Sequence, residues 1–256
     1  MGAARVTHPI TLAITSCGRM DLLEKTLKSF YKFNTYPIFK TIIIDDSCGG
    51  FDTERISACI PNSYEFILNT ENIGQIRSID KLYSSITTPY VFHCEDDWEF
   101  YQEGFIEESL AILERHQQVI TVWLRAHDDT NTHPISQSES VEGFDNKLMQ
   151  RKYRGAWSGF TFNPGLRRLA DYHLLAPYAE KPILIGKKNQ SVASEIDLSI
   201  YYDRLGFRAA ITIHPGGYVK HIGWGDHIPQ EWESAFFARA YIKLRNLIKK
   251  HVLYRN

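Results

Sequence analysis

Three consecutive carboxylates, Glu95-Asp96-Asp97, end the apolar, β-favouring run Tyr90-Val91-Phe92 that follows Pro89. Adjacent carboxylates repel one another unless a positive charge sits among them. A strand that carries them at its carboxyl end delivers them to the crevice where open α/β sheets bind ligands. Such a set suits a hard, oxygen-seeking divalent cation, Mn2+ or Mg2+, held partly by phosphate oxygens. The competing reading is a solvated acidic turn, because charge clusters usually face water. A second acidic stretch, Asp45-Asp46-Ser47, ends the apolar run Thr41-Ile42-Ile43-Ile44 in the same manner.

The elements that would position these groups alternate. Ile10 to Ile14 suits a first strand, Thr15-Ser16-Cys17-Gly18-Arg19 a polar loop, and Leu22, Leu23, Leu27 and Phe30 mark one face of a helix. After the second strand come Gly49-Gly50 and a short helix from Arg55 to Cys59. Tyr64 to Leu68 reads as a third strand leading to Asn72-Ile73-Gly74-Gln75, and a helix from Ile76 to Ser85 returns to the acidic strand. Alternation of this kind predicts an α/β fold with a mostly parallel central sheet flanked by helices. Further on, a helix from Phe105 to His116 and a strand from Val119 to Leu124 are expected. A polar, irregular stretch from Arg125 to Arg154 has the character of a mobile loop. Trp157 to Asn163 then precedes a helix through Leu166 to Tyr172. A Lys/Asn-containing loop at Gly186 to Gln190 leads to a helix carrying Glu195 and Asp197, a strand from Phe207 to Ile213, and a glycine-punctuated loop from His221 to His227.

Composition narrows the class. The 256 residues, 43% hydrophobic and 23% charged, can bury a substantial core, and a net charge of -1 gives no electrostatic ground for nucleic-acid binding. Cys17, Cys48, Cys59 and Cys94 lack metal-finger spacing, and no secretory leader precedes the first strand, so free thiols in a cytoplasmic setting are expected. One domain over 1–256 is predicted, divided at 10–100 and 101–232 and ending in a helix from 233 to 256. That helix has an apolar stripe of Phe236, Phe237, Ala240, Tyr241, Leu244 and Ile248 with basic residues beside it. It suits either docking onto the protein's own core or peripheral contact with an anionic membrane.

With these loops placed, the chain resembles the GT-A fold glycosyltransferases, the nucleotide-diphospho-sugar transferases of the family 2 type. The resemblance rests on Thr15 to Arg19, Asp45-Asp46-Ser47, Asn72-Ile73-Gly74 with Arg77 on the following helix, Glu95-Asp96-Asp97, and Ser194-Glu195-Ile196-Asp197-Leu198 followed by Gly206-Phe207-Arg208. It implies that Thr15, Ser16, Arg19, Asn72, Gly74 and Arg77 hold the nucleotide and that Asp45 and Asp46 contact its base. The acidic triplet becomes the Asp-x-Asp equivalent. Asp97 is then the direct metal ligand, Glu95 a helper at the metal, and Asp96 a contact to ribose or metal-bound water.

Glu195 falls, by the same likeness, where inverting members keep their general base, and His221 resembles a carboxy-terminal histidine ligand to the metal, with His214 and His227 as competitors. Trp157, Ser158 and Gly159 would wall the donor sugar, and Trp98 and Trp224 would offer faces to an acceptor ring. Plainer roles stand beside these: a helix cap for Asp45 or Asp46, an exposed helix carboxylate for Glu195, and core packing for each aromatic. The implied reaction is transfer of a sugar, UDP-linked by preference, to a hydroxyl of a carbohydrate or glycoconjugate acceptor. The rival classes are a nucleotidyltransferase that makes the nucleotide sugar and a non-catalytic binding module.

Overall fold

The runs that read as buried strands are near-continuously apolar, and strands of that composition need cover on both faces, which crossover helices supply. The computed structural model describes residues 7–140, 147–184 and 191–223. In chain order its first half contains β1 (Ile10–Ser16), α1 (Met20–Phe33), β2 (Lys40–Asp45), α2 (Thr53–Ser57), β3 (Tyr64–Leu68), α3 (Gln75–Ser84), β4 (Tyr90–Glu95) and β5 (Trp98–Phe100). The second half contains α4 (Phe105–Arg115), β6 (Val119–Trp123), β7 (Ile135–Ser140), β8 (Lys147–Met149), β9 (Gly165–Arg168), α5 (Leu169–His173), α6 (Ser191–Arg204), β10 (Arg208–Ile211) and β11 (Val219–His221).

The central sheet has the order β3-β2-β1-β4-β9. Its first four strands are parallel and β9 runs antiparallel against β4. Alternate residues of β1 feed two cores. Leu12 and Ile14 pack with Leu23, Leu27 and Phe30 of α1, whereas Ala13 packs with Ile79, Leu82 and Tyr83 of α3. The chain builds outward from β1 to β2 and β3, then returns to place β4 on the other side of β1. The order therefore reverses between β1 and β4, and the crevice above such a reversal is where open α/β sheets take ligands.

Two segments differ from the expectation. The stretch from Arg125 to Arg154 is not one irregular loop, for it contributes β7 and β8 to a second sheet of order β6-β10-β8-β7. β7, Ile-Ser-Gln-Ser-Glu-Ser, lies at the edge of that sheet, and an edge strand shows little of the apolar alternation that marks a strand in sequence. The helix expected through Leu166 to Tyr172 is instead β9 followed by the short α5. Arg167 and Arg168 mask the strand, which exists because it pairs with β4, more than seventy residues earlier in the chain.

Residues 1–220 and 221–256 form two compact units. The expected loop at Gly186 to Gln190, and Trp224, His227 and the helix from 233, lie outside the described residues. Among the described residues no helix is long and apolar enough to cross a membrane. All four cysteines are free thiols.

Candidate active site

Asp45 ends β2 and is buried. Its Oδ2 accepts from the Gly18 N–H at 3.0 Å and its Oδ1 from the Ser47 N–H at 3.0 Å and the Ser47 hydroxyl. Asp46, also buried, accepts from Asn69 Nδ2 at 2.7 Å, the Ile73 N–H at 3.0 Å and the Gly74 N–H at 2.8 Å. Asn72 donates to the Asp46 carbonyl at 2.9 Å. These carboxylates thus tie the β1, β2 and β3 loops into one rim, and neither serves as the cap of α2, a role taken by Asp52. Gly74 sits at φ +82 just before α3, a left-handed conformation that glycine adopts without steric cost, and this turns its N–H toward Asp46. Arg77, on the first turn of α3, is exposed.

The end of β4 meets Arg19. Its guanidinium reaches both oxygens of Asp96 and, through NH1 at 2.7 Å, Oδ2 of Asp97. Asp96 is fully buried and also accepts from the Ser16 hydroxyl at 3.0 Å and the Cys17 N–H at 3.4 Å. Thr15, the residue before Ser16, is buried at the end of β1. Arg19 precedes α1 and makes no side-chain cap, which leaves its fork for a multi-point carboxylate contact.

Glu95 is bound through Oε1 by Gln75 Nε2 at 2.6 Å and through Oε2 by the Trp98 indole N–H at 3.3 Å. Burial, Asp97 and Glu195 push its carboxyl well above the usual range. Burial also raises Asp96 to about 6, against the pull of Arg19. Burial and the surrounding aspartates raise the Cys17 thiol to about 11, so it is no thiolate at neutral pH.

Glu195 sits on α6 and its Oε1 accepts from the Thr161 hydroxyl at 2.9 Å and from the Phe162 N–H. Its Oε2 makes no hydrogen bond among the described residues. Burial raises its carboxyl, and the Phe162 and Thr161 hydrogen bonds, Arg167 and Arg125 oppose that rise. The mutual influence of Glu95 and Glu195 brings α6 into the electrostatic field of the β4 end.

Trp157, Ser158 and Gly159, the expected donor wall, lie on the segment between β8 and β9. Trp157 packs with Trp123 and His133, Ser158 is buried and its N–H donates to Ser199 Oγ at 2.8 Å, and Gly159 lies against β8 and β10. A Cβ on Gly159 would meet Ala209 Cβ at 2.8 Å and Met149 Cβ at 2.9 Å. Trp98 is 1% exposed, with the Arg125 guanidinium 5.0 Å from its ring centroid, so it offers no open face to an acceptor. His221 ends β11, the strand paired with β5 directly after Asp97, and His214 is exposed.

The model of glycosyl transferase family 2 matches residues 11–175, more than half of the chain. The chain belongs to glycosyl transferase family 2. The match takes in Asp45, Asp46 and the Glu95-Asp96-Asp97 triplet, and ends before Glu195 and His221. No curated protein sequence matches the chain. Among solved structures it is similar to the mannosyltransferase PcManGT from Pyrobaculum calidifontis in complex with GDP-Man and Mn2+, at TM-score 0.58 and 14% identity over 96% of this chain and 65% of that one. GalNAc-T7 with UDP, GalNAc and Mn2+ aligns at TM-score 0.59 and 14% identity over 92% of this chain and 48% of that one. S. aureus TarS 1-349 aligns at 0.57 and 14%, over 96% and 72%. The fold of this family 2 member is therefore GT-A, and the chain is shorter than each of these structures.

Among the described residues no group of three or more His, Cys, Asp or Glu side chains is arranged to hold a metal ion. The chemistry of the β4 end nonetheless fits one. Three carboxyls share a buried rim with the single guanidinium of Arg19, and burial with mutual repulsion already pushes Glu95 and Asp96 toward the protonated form. A hard divalent ion, if held by these carboxyls, would supply the positive charge that offsets that imbalance.

Sequence reasoning missed Gln75, Arg125, Thr161 and Arg167. Arg125 lies just beyond the carboxyl end of β6, the kind of position that had singled out Asp45 and Asp97. Thr161 and Arg167 gave no such signal, because their roles depend on where α6 comes to rest.

Proposed function

We propose that this family 2 member is a metal-dependent, inverting glycosyltransferase that moves a sugar from a nucleotide-diphosphate sugar, UDP-linked by preference, to a hydroxyl acceptor in surface polysaccharide or glycoconjugate synthesis. The observation that carries the reading is the convergence of the loops after β1, β2 and β4 on one rim, at the point where strand order reverses, with Glu195 within the electrostatic reach of that rim. The Mn2+ and the nucleotides named in PcManGT and GalNAc-T7 agree with it.

Asp97 would hold the metal, Mn2+ or Mg2+, with Glu95 as a further donor. The ion when bound supplies positive charge to the departing diphosphate, whose charge grows in the transition state. Arg19 orients Asp96 and Asp97 and keeps the rim from repelling an anionic donor outright. The rim built by Asp45, Asp46, Asn72 and Gly74 receives the nucleotide through Thr15, Ser16 and the edges of those loops, and exposed Arg77 attracts its phosphates. Trp157, Ser158 and Gly159, just before the Thr161–Phe162 segment that holds Glu195, would wall the donor sugar.

Glu195 is the general base. A sugar hydroxyl is a poor nucleophile, and Oε2, unengaged within the described residues, takes its proton as the bond to the anomeric carbon forms. Attack from the side opposite the leaving diphosphate inverts that carbon.

The test is thermal stability with UDP-GalNAc, GDP-mannose and other nucleotide sugars, each with and without Mn2+, followed by release of free nucleoside diphosphate on adding acceptor. Metal-dependent stabilisation by one nucleotide class is expected, because a ligand selective for the native state raises its stability by mass action. Stabilisation by none of them would sink the proposal, and release of pyrophosphate from a nucleoside triphosphate would point to the nucleotidyltransferase.

A further inference from the structure

β9 carries two adjacent arginines whose side chains leave opposite faces of the strand. Arg168 is accounted for by structure: it pairs with Asp171 at 2.8 Å and donates to the carbonyls of Leu113, Gln117 and Val119, fastening the end of α4. Arg167 is 3% exposed and forms no ion pair among the described residues. Its guanidinium lies 5.3 Å and 5.6 Å from the ring centroids of Phe160 and Phe162. NH1 donates to Tyr83 Oη at 2.9 Å, NH2 to the Thr161 carbonyl at 2.5 Å, and Nε finds no partner. A buried charge left without an ion pair is unfavourable, so its presence calls for a compensating anion nearby.

The anion lies across a single peptide group. The Thr161 carbonyl accepts from Arg167, and the N–H of that same peptide, carried by Phe162, donates to Glu195 Oε1. Carbonyl and N–H of a trans peptide point in opposite directions, so the guanidinium and the carboxylate sit at opposite edges of it, linked through its dipole. Hydrogen bonds in such a chain polarise one another, which tightens both ends. The Thr161 hydroxyl adds a second donor to Glu195, and Arg167 reaches the Asn163 carbonyl at 3.4 Å, so the whole 161–163 segment is pinned from beneath.

We propose that Arg167 is a positioning residue for Glu195: through the Thr161–Phe162 peptide it orients the carboxylate and supplies the fixed positive charge that faces it. The assignment rests on Glu195 being the base. The other charged groups that face Glu195 are Arg125, beyond the end of β6, and Glu95, on β4. Glu95 opposes ionisation of Glu195 and Arg125 favours it. His93, fully buried against Tyr83 and Phe162, is held neutral by burial and by Arg167 and adds no charge.

The test uses the full chain with 13C-labelled glutamate. The Glu195 carboxyl resonance, assigned by its loss in Glu195→Gln, is titrated by NMR in the unliganded protein, with no donor or acceptor needed. In Arg167→Met the midpoint should rise by about one pH unit or more, since loss of a nearby opposite charge acts in that direction. Nucleoside diphosphate release at pH 6 should fall at least tenfold, with donor KM within twofold and the deficit closing as pH rises. Arg167→Lys, which keeps the charge but loses the fork that spans two carbonyls and Tyr83, should keep the midpoint and lose kcat.

A folded Arg167→Met with an unmoved midpoint overturns the proposal. Should Arg167→Met fail to fold, wild-type kcat in Arg167→Lys does the same. If Glu195→Gln turns over normally, the base assignment fails on its own account, while the titration still reports whether Arg167 governs that carboxylate.

Discussion

The rim at the carboxyl ends of the central strands and the surroundings of Glu195 are built on opposite plans. At the rim, Asp45, Asp46, Asp96 and Asp97 lie within two residues of strand ends, and their hydrogen-bond donors come from loops at the same edge of one parallel sheet. Glu195 sits on α6, away from any strand end, and its carboxylate is held by Thr161 and Phe162, more than thirty residues away. A sheet edge converts short contiguous motifs into a site almost by itself. A helix carboxylate becomes a site only when other segments fix it and set its charge.

That contrast is most sharply broken by disabling each side. Glu195→Gln should keep nucleotide binding, measured by calorimetry, and lose about two to four orders of magnitude in transfer, the usual worth of a positioned base. Asp97→Ala should lose turnover to a similar degree and also lose Mn2+-dependent donor stabilisation, so one side fails in chemistry alone and the other in binding as well. Retained Mn2+ dependence in Asp97→Ala would remove that residue from the metal site.

Arg19→Ala addresses stability at the rim. Removing one partner of a buried charge cluster costs on the order of 3–5 kcal/mol, read from urea unfolding at pH 7.5. Asp96 is raised to about 6 in the folded protein, so its ionised form already opposes folding, and stability is lost as pH climbs from the ordinary carboxylate range through 6. Without Arg19 the carboxyl rises further, and the deficit should shrink as pH falls and Asp96 takes up a proton. A deficit independent of pH would show that the guanidinium contributes packing alone.

Gly159→Ala probes the packing of β8 and β10 against the segment that leads to Thr161. With φ at +91 and a Cβ 2.8 Å from that of Ala209, a loss of about 1–3 kcal/mol is expected from overpacking and backbone strain together. Arg77→Ala is the smallest. It should leave the melting temperature unchanged and weaken donor binding by several-fold, with a reduced dependence on salt, because an exposed cation is largely screened.

The pH profile of transfer sharpens the comparison further. Burial raises Glu195, and a base works only when deprotonated, so turnover should climb with pH through a midpoint above the usual glutamate value. A profile flat across that range would deny Glu195 the role.

The sequence alone determined the first half. Apolar runs ending in acidic residues, with amphipathic helices between them, dictate a parallel sheet whose carboxyl ends share one rim, because a run buried on both faces can pair in few other ways. Tertiary structure decided what those acids meet. Burial turned Trp98 inward under Arg125, closed Asp96 onto Arg19, and made a strand of Gly165–Arg168 by pairing it with β4. Only that pairing sets Arg167 beneath the peptide that holds Glu195, since local spacing encodes which residues lie on a helix face but not which distant backbone group will come to rest against it.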